Sequence, residues 1–384
     1  MRIVVVTDVI TRRAGGVFSA VRDMFLNKSM MAQDLQILSY IDDKIEEDLP
    51  SWKNIPIKLF KPHFFLYSRK LRNTLLYSDA DIYHQQGLWR YSHLLMDIWK
   101  KKTGKPIVCT PHGMLDPYII RKQGRIKRII SHLFFQQSLE SVSCFQALCQ
   151  KELEDIRAYG LHNPIAIIPN GIYLPAPSKE AFKIDEKKHL LFLGRIHEKK
   201  GADLLLKAIS NIRNNNPQLI QNWHVDVVGW DHEGFKSKLD QIISRNGIKD
   251  IVTLHGPLYG EEKDQMYNNC DAYILPSFGE GLPLTVLEAW AWGKPVIISP
   301  ECHLSEGYDC GAAIRIEPTV DSVEKGICTL LSMSDNERID MGKKGLELVK
   351  EKFTWDSAAE KLLGVYKWLS GKAAKPDYVY EYNV

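Results

Sequence analysis

The sequence predicts an α/β protein with two doubly wound parallel-sheet domains, and three observations support this prediction. The chain has 384 residues, which is more than one hydrophobic core usually holds. Short apolar runs typical of buried strands alternate with helical segments in both halves, as in parallel sheets covered by helices. A stretch rich in proline and charge lies between the halves and is typical of a linker. We therefore expect domains at residues 1–172 and 188–354, joined by a linker at 173–187.

The predicted strands of the two halves follow in chain order. In the first half they are Ile3–Val6, Leu35–Tyr40, Asp81–His84, Ile107–Thr110, Cys144–Leu148 and Ala166–Ile168. In the second half they are Leu190–Leu193, Val225–Val228, Val252–His255, Ala272–Leu275 and Val296–Ile298. Apolar residues repeat at helical spacing near the C-terminus, which predicts a helix over about 355–372. Because ligands of such sheets bind at the carboxyl ends of the strands, functional residues are expected directly after them.

Composition and cysteine usage are those of an ordinary globular protein. Hydrophobic residues make up 45% of the chain and charged residues 25%, without an apolar run of about 18 residues. The N-terminus lacks the regions of a signal peptide, so we expect a cytoplasmic protein. The seven cysteines have neither CxxC nor metal-ligand spacing, and we interpret them as reduced core residues.

Charge is distributed unevenly along the chain. Residues 1–170 contain 24 Lys+Arg and 16 Asp+Glu, whereas the remainder contains 26 and 31. The basic residues of the first half form two groups, Lys58, Lys61, Arg69, Lys70 and Arg72 among aromatics such as Phe60, Phe64, Phe65 and Tyr67, and Arg121, Lys122, Arg125, Lys127 and Arg128. Such groups suit the anionic inner face of a membrane or a lipid-diphosphate acceptor, and a solvated helix face is the open alternative. We recognise no nucleic-acid-binding module and expect no nucleic-acid partner.

Two glutamates flank a tight turn in the segment Pro276–Glu288. The apolar run before the turn predicts a buried strand, and Leu284–Trp292 predicts the helix after it. Backbone N–H groups and the helix dipole would favour an anion at this turn. Glu280 and Glu288 would accept hydrogen bonds from hydroxyls on either side of the anion. This pattern fits a nucleotide sugar, although a solvent-facing Glu280 and a capping Glu288 are the structural alternative.

Two cations follow the first predicted strand of the second half. Arg195 and Lys200 lie in the loop after Leu190–Leu193. A leaving diphosphate gains negative charge as a glycosidic bond breaks, and two fixed cations can stabilise it without a metal. A solvated charged turn is the alternative interpretation of this spacing.

These segments resemble a known family of enzymes. Pro276–Pro295 resembles the signature of family 4 retaining glycosyltransferases, which have the two-domain GT-B architecture, and Leu191–Gly201 resembles their strand-Gly-Arg-loop-Lys-Gly element. The resemblance implies two Rossmann-like domains facing a cleft, with the C-terminal helix returning to the N-terminal domain. It also implies that Glu280 lies by the donor sugar and that Glu288 holds the ribose hydroxyls of the nucleotide.

The resemblance implies further site residues. Arg195 and Lys200 would lie on the donor diphosphate, and His112 would lie near the reacting sugar. The other expected donor contacts are Gly15, Gly16, Pro257, Leu258, Gly281, Leu282, Pro283, Leu284 and Thr285. Asn170-Gly171 resembles the turn before the interdomain linker, which suits a hinge.

Two other segments bear on the acceptor and the donor. His84–Arg90 ends a predicted strand, and we interpret Gln86 and Trp89, with His112, as an acceptor wall; a packed loop is the alternative. The turn Val228–His232 is bulkier than the glycine-rich turn of many relatives, which leaves its contact with the donor open. Asp79-Ala80-Asp81 matches the DxD pattern of metal-binding glycosyltransferases of another architecture. It precedes a predicted strand and would therefore lie at the end of the sheet away from the cleft, so we interpret it as a solvated turn. We expect no metal and no cofactor.

The sequence therefore predicts a retaining hexosyltransferase. The donor is a UDP- or GDP-sugar, and the acceptor is a hydroxyl of a glycan or a lipid-linked molecule, by resemblance in bacterial surface polysaccharide (lipopolysaccharide, capsule or exopolysaccharide) synthesis. Two alternatives stay open. One is a nucleotide-sugar epimerase or phosphorylase of GT-B shape, and the other is a catalytically silent subunit that binds glycan or membrane.

Overall fold

The computed structural model describes residues 1–63, 66–117, 120, 135–175 and 186–382. The chain divides into two compact units, Met1–Gly171 with Trp355–Val384, and Ile172–Thr354. Each unit is a largely parallel sheet with helices, which confirms the predicted fold class. Most of the predicted linker at 173–187 lies outside the described residues, as do Phe64, Phe65 and the second basic group.

All the strands predicted from the sequence are present, with ends that differ from the predicted ones by at most two residues. In chain order the described strands are β1 (Arg2–Thr7), β2 (Asp34–Tyr40), β3 (Ile57–Phe60), β4 (Ile82–Gln86), β5 (Ile107–Thr110), β6 (Cys144–Ala147), β7 (Ile165–Ile167), β8 (Lys188–Leu193), β9 (Trp223–Val228), β10 (Val252–His255), β11 (Ala272–Leu275), β12 (Val296–Ile298), β13 (Ala313–Arg315) and β14 (Val379–Tyr380).

Helices occupy the connections between these strands. The described α-helices of the first unit are Gly16–Phe25, Lys28–Met31, Ile45–Asp48, Arg69–Leu76, Tyr91–Thr103, Gln150–Ala158 and Trp355–Leu369. Those of the second unit are Ala202–Asn215, Pro217–Ile220, Phe235–Arg245, Gly260–Asn269, Leu284–Ala291, Ser305–Asp309, Val320–Ser332 and Asp335–Lys352.

Strand order places a switch point in each sheet. The first unit has the order β14-β7-β6-β5-β4-β1-β2-β3, in which β14 alone is antiparallel to its neighbour, and the second has β10-β9-β8-β11-β12-β13. In the first sheet, successive strands extend outward from β1 to β3 on one side and from β4 to β7 on the other. In the second sheet, they extend outward from β8 to β10 on one side and from β11 to β13 on the other. The crevice between two such strands is where open α/β sheets bind ligands.

Three described strands were not predicted: β3, β13 and β14. Each has four residues or fewer and lies at the edge of its sheet. Edge strands have one partner and one partly solvated face, so they lack the continuous apolar run of a central parallel strand. Phe60, interpreted as part of a basic and aromatic surface, ends β3 and is buried in the core.

The central strands are buried on both faces. In β1, Ile3 and Val5 belong to one hydrophobic cluster, whereas Val4 and Val6 belong to another on the opposite face. Alternate residues of a strand point to opposite faces of the sheet. The apolar run of β1 therefore reflects helices packed on both sides.

The C-terminal helix completes the first unit, as predicted. Trp355, Leu362 and Tyr366 of helix Trp355–Leu369 lie in the same cluster as Ile3. Tyr366 also reaches the sheet, where its hydroxyl lies 2.5 Å from Nδ1 of His84 in β4. This helix therefore buries one face of the sheet and adds a polar contact inside it.

Helix Leu284–Ala291 of the second unit is held by close packing. A Cβ at Gly345 would lie 2.2 Å from the Trp290 ring, and one at Gly342 would lie 1.8 Å from the carbonyl oxygen of Gly293. The Trp290 indole also donates a hydrogen bond to Ala312 O at 3.1 Å. These contacts fix the helix that follows the Glu280 turn. Within the described ranges, no helix has the length and apolar character needed to cross a membrane.

Candidate functional site

Most of the donor-binding residues predicted in the second unit lie at its switch point. Arg195 follows β8, and the turn that contains Glu280 follows β11. These strands are neighbours at the centre of the sheet, and helices begin after both. Carboxyl strand ends and helix N-termini therefore converge at one edge, which is where such sheets bind nucleotides.

Close backbone packing joins the two predicted segments. Gly201 has a φ of +72°, and a Cβ there would lie 2.1 Å from the carbonyl oxygen of Pro276. Phe278 N donates to Lys199 O at 2.8 Å, and Ser277 Oγ donates to the same oxygen at 2.9 Å. The absence of a side chain at Gly201 thus allows the loop after β8 to lie against the turn after β11.

Lys200 and Glu280 form an ion pair across this contact. The Lys200 Nζ lies 2.6 and 2.7 Å from the two carboxylate oxygens of Glu280. Their side chains are only 18% and 9% exposed. A partly buried pair is screened less by salt than a surface pair, so the two groups that were predicted to contact the donor stabilise each other.

Arg195 lies beside the turn that differs from many relatives. Its guanidinium lies 5.9 Å from the centre of the Trp230 ring, within the range of a cation–π contact. Gly229 allows this arrangement, because a Cβ there would lie 1.8 Å from the carbonyl oxygen of Gly194. The Arg195 guanidinium thus lies near the ring of Trp230, a residue that is 45% exposed.

Helix Leu284–Ala291 presents unpaired amides at its N-terminus. No side chain caps it, and the N–H groups of Gly281, Leu282, Leu284 and Thr285 donate to no other described residue. The first amides of a helix carry partial positive charge and attract anions. The predicted amide site at residues 281–285 is therefore available for a ligand.

Glu288 points to the same edge from the first turns of this helix. Its two carboxylate oxygens accept hydrogen bonds from Lys263 Nζ at 2.6 Å and from the Tyr267 hydroxyl at 2.9 Å. Its side chain is 25% exposed. Lys263 and Tyr267 were not predicted from the sequence; they lie four residues apart on helix Gly260–Asn269, and that spacing is common on any helix.

The predicted nucleobase loop follows β10. Pro257 is exposed, and Leu258 is partly buried against the core of the second unit. The structure thus places this partly exposed loop at the carboxyl end of a strand. Its role toward a base stays a prediction.

One group of described residues has metal-binding side chains close together. Ligand atoms of His197, His232 and Glu233 lie within 4.8 Å of one another. Nδ1 of His232 lies 3.9 Å from a carboxylate oxygen of Glu233, whereas tetrahedral zinc ligands at about 2.1 Å from the metal lie about 3.4 Å apart, so this pair would have to move closer to bind zinc through these atoms. The carboxylates of Asp79 and Asp81 accept hydrogen bonds from the side chain and the backbone N–H of Arg2, respectively. Arg2 begins β1, so these carboxylates lie at the opposite end of the strands from the predicted site.

In the first unit, Gly15 and Gly16 lie where a helix begins after β1. Gly15 has a φ of +56° and is the N-cap of helix Gly16–Phe25. A Cβ at either glycine would have no atom within 4 Å. No neighbouring atom in the described part of the chain therefore requires glycine at these positions, and their role near phosphates stays a prediction.

His112 lies directly after β5 in a strained loop. Its φ is +54°, which is uncommon for a residue other than glycine. Glu152 fixes the loop, because its carboxylate accepts hydrogen bonds from Gly113 N at 2.6 Å and Leu148 N at 2.7 Å. Burial lowers the pKa of His112 to about 4 and raises the pKa of Glu152 to about 7. His112 is therefore a neutral imidazole at neutral pH.

The two other predicted acceptor residues are largely occupied within the protein. Gln86 is 4% exposed, and its amide lies 2.7 Å from Nε2 of His112 and 2.9 Å from Nε2 of His84. The Trp89 indole donates to Met114 O at 3.2 Å and packs against Phe135, with ring centres 5.7 Å apart. Gln86 therefore positions His112, and Trp89 is half-buried in an aromatic cluster.

Family models match both parts of the chain. Residues 34–174 match the model described as Glycosyltransferase Family 4, and residues 177–348 match that described as Glycosyl transferases group 1. The first match covers most of the first unit, and the second covers most of the second unit.

Relatives and solved structures agree with these models. A D-inositol 3-phosphate glycosyltransferase of Arthrobacter sp. is 29% identical over 47% of this chain, and the match covers 42% of that protein. The chain spans less than half the length of that relative and of several others. The D-inositol 3-phosphate glycosyltransferase of Segniliparus rotundus is 24% identical, and the match covers 86% of this chain and 80% of that protein.

The fold is also that of known structures. The crystal structure of Anabaena HepE in complex with UDP and glucose has a TM-score of 0.73 at 16% identity, over 95% of this chain and 99% of that one. At this identity the likeness shows the fold. That fold is the two-domain GT-B fold, and the two family models, which match the two units in succession, identify them as glycosyltransferase domains, the second of the group 1 type.

Proposed function

We propose that the protein transfers a hexose-like sugar from a UDP- or GDP-sugar to a hydroxyl of a glycan or lipid-linked acceptor, with retention of the anomeric configuration. The observation that carries this proposal is the grouping of Arg195, Lys200 and Glu280 with the free backbone N–H groups of Gly281, Leu282, Leu284 and Thr285 at one sheet edge. That grouping offers positive charge for a diphosphate beside a carboxylate for sugar hydroxyls. HepE, which shares the fold, is described in complex with UDP and glucose.

The cations act on the leaving diphosphate. Arg195 offers a bidentate fork and Lys200 a point charge, and the helix N-terminus adds amides. Charge accumulates on the diphosphate as the glycosidic bond breaks, so these groups stabilise the transition state more than the ground state. They supply this stabilisation without a metal, which is the basis for proposing a metal-independent reaction.

The carboxylates orient the two ends of the donor. Glu280 accepts hydrogen bonds from the sugar, and Glu288 accepts them from the ribose. His112 holds a hydroxyl near the anomeric carbon. In our proposal the acceptor attacks from the face that the diphosphate leaves, and the departing diphosphate takes the acceptor proton. Domain closure about Asn170-Gly171 would exclude water and limit hydrolysis of the donor.

Calorimetric titration with UDP and GDP, each with and without EDTA, tests the donor site. Binding of one nucleotide that persists in EDTA supports the proposal. Binding that requires metal would contradict metal independence and turn attention to His197, His232 and Glu233. Binding of neither nucleotide would contradict the donor assignment and favour a silent glycan- or membrane-binding subunit.

Turnover assays then test the acceptor and the stereochemistry. The donor that binds is incubated with lipid extract, polysaccharide fragments and D-inositol 3-phosphate, the last because of the relatives' name. The anomeric configuration of the product, read by proton NMR, is expected to match that of the donor. An inverted product would overturn the retaining mechanism, and a product formed without an acceptor would favour the epimerase alternative.

Membrane attachment through the first unit is a separate proposal. Lys58, Lys61, Arg69 and Lys70 are exposed, which leaves them available to anionic headgroups. A location at the inner membrane face would suit a lipid-linked acceptor and surface polysaccharide synthesis. Flotation with phosphatidylglycerol vesicles is expected to carry the protein upward at low salt; no flotation would contradict attachment.

A further inference from the structure

A buried chain of polar side chains connects the core of the first unit to His112. The chain runs through Gln146, Thr110, His84 and Gln86, all at most 4% exposed. Each of these side chains hydrogen-bonds to the next. Because buried donors and acceptors must match, the position of every proton in such a chain follows from one fixed end.

The fixed end is the carbonyl group of Ile168, which can only accept. Gln146 Nε2 donates to this oxygen at 3.2 Å, so the Gln146 side-chain oxygen faces Thr110. Thr110 Oγ1 donates its single hydrogen to that oxygen at 2.9 Å. Thr110 Oγ1 therefore has only lone pairs to offer to its other neighbour.

That neighbour is His84, whose Nε2 lies 2.8 Å from Thr110 Oγ1. Two lone pairs at this distance would repel, so Nε2 of His84 must carry a hydrogen. Burial lowers the pKa of His84 to about 3, so the ring is neutral and Nδ1 is an acceptor. The Tyr366 hydroxyl, 2.5 Å from Nδ1, donates to it.

The His84 tautomer decides the orientation of the Gln86 amide. The two ends of an amide have nearly the same shape, so the hydrogen-bond network assigns them. One end lies 2.9 Å from Nε2 of His84, which carries a hydrogen, so this end must be the oxygen. The NH2 end then faces Nε2 of His112 at 2.7 Å. The reverse amide orientation would oppose two N–H donors at His84.

We infer that this series of hydrogen bonds, from Ile168 O to Gln86, holds His112 in the tautomer with its hydrogen on Nδ1. His112 Nε2 accepts from Gln86, and Nδ1–H makes no hydrogen bond to any described residue. Gln86, His84 and Thr110 are thus positioning residues that act through His112. The group that binds at Nδ1 must therefore accept a hydrogen bond.

This inference rests on the proposed function only for the identity of that group, which is a sugar hydroxyl or ring oxygen of the substrate. A neutral imidazole that donates through Nδ1 cannot also accept a proton there. The acceptor proton must therefore go to another group, as it does when the diphosphate receives it.

The tautomer can be read directly by NMR. Protein labelled with 15N-histidine gives long-range 1H–15N correlations that distinguish Nδ1–H, Nε2–H and the doubly protonated ring. The His112→Gln variant identifies the His112 signals by their loss. At pH 7.5, without any substrate, we expect the Nδ1–H pattern for His112. The Nε2–H pattern or a doubly protonated ring would overturn the inference.

Substitutions of the buried polar residues test whether their hydrogen bonds determine the tautomer of His112. In Gln86→Glu the carboxylate presents oxygen to both histidines, so His112 is expected to change to Nε2–H or to become protonated. An unchanged Nδ1–H pattern would show that Gln86 does not determine the tautomer of His112. Thr110→Val and Tyr366→Phe form a matched pair, because each removes one buried hydroxyl. Only Thr110→Val removes the acceptor that fixes His84, so only it is expected to give a mixture of His112 tautomers. Thermal unfolding checks that each variant folds.

The two proposals fail separately. The spectrum requires neither donor nor acceptor, so the Nδ1–H pattern in a protein without transferase activity would contradict the proposed function alone. Sugar transfer by a protein with His112 in the Nε2–H form would contradict this inference alone. If both hold, Gln86→Glu lowers kcat while the protein retains its affinity for the nucleotide.

Discussion

Lys200 and Glu280 are 80 residues apart in the chain, yet the ammonium of Lys200 contacts both carboxylate oxygens of Glu280, at 2.6 and 2.7 Å. Both groups were predicted to bind the donor, one at the diphosphate and the other at the sugar. Their ion pair keeps two largely buried charges neutralised. If both residues bind the donor as proposed, donor binding redistributes the hydrogen bonds between them.

Substitution of Glu280 should separate sugar recognition from diphosphate recognition. Glu280→Gln removes the carboxylate that binds Lys200, so affinity for UDP or GDP is expected to stay or to rise. Turnover should fall about 10- to 100-fold, because a charged hydrogen bond to the sugar contributes about 1.5 to 3 kcal/mol. Lys200→Met should instead weaken nucleotide binding by a similar factor.

Calorimetry and initial rates measure these two effects. Lys344→Met is the control, since Lys344 forms an exposed ion pair with Asp340 in the same unit, and it should change neither quantity. If Glu280→Gln lost nucleotide affinity as strongly as Lys200→Met, the separate roles would be wrong.

Glu288 should contribute to affinity through the ribose. Glu288→Gln keeps the shape of the side chain but removes its charge, so nucleotide binding should weaken by about 1.5 to 3 kcal/mol. Comparison of UDP or GDP with its 2′,3′-dideoxy analogue is the sharper measurement. The parent protein should discriminate between the two ligands, and Glu288→Gln should discriminate less. Glu347→Gln, on an exposed position of the same unit, is the control; an equal discrimination in Glu288→Gln would refute the ribose contact.

Gly201 should tolerate no side chain. Gly201→Ala places a Cβ 2.1 Å from the carbonyl oxygen of Pro276, in addition to the cost of its positive φ. Gly247→Ala is a matched control, because Gly247 has a φ of +63° and open space around a Cβ. The control should lose about 1 kcal/mol of unfolding free energy, and Gly201→Ala should lose on the order of 2 kcal/mol more. Denaturant unfolding measures both, and equal losses would show that the loop after β8 does not pack on the turn after β11.

Glu152 should make stability depend on pH. Its folded-state pKa is raised from 4.5 to about 7 by burial, so the folded protein binds the proton more tightly than the unfolded chain. Stability is therefore expected to fall as pH rises from about 4.5 to 7 and to level off above. Glu152→Gln removes this titration, so its melting temperature should change less than that of the parent between pH 5 and 8. The same pH profile in both proteins would contradict the raised pKa.

Much of the fold could be predicted from local sequence. The central strands have apolar runs because both of their faces are covered, and their positions were predicted within a few residues. The edge strands β3, β13 and β14 were missed, because a short strand with one partner has no such run. The positions of the donor-site motifs could also be predicted from the sequence, because Arg195 lies in the loop after β8 and Glu280 lies in the turn after β11.

The sequence by itself determined which chemical groups are present and which strand ends they follow, because strand pattern and turn chemistry are local properties. Only the tertiary structure decided which groups touch. It paired Lys200 with Glu280 and Glu288 with Lys263 and Tyr267, and it placed Gln86 between His84 and His112. Except for that between Gln86 and His84, which share β4, these contacts join residues at least 21 positions apart in the chain. They depend on strand order and on close backbone packing at Gly201, which no local pattern specifies.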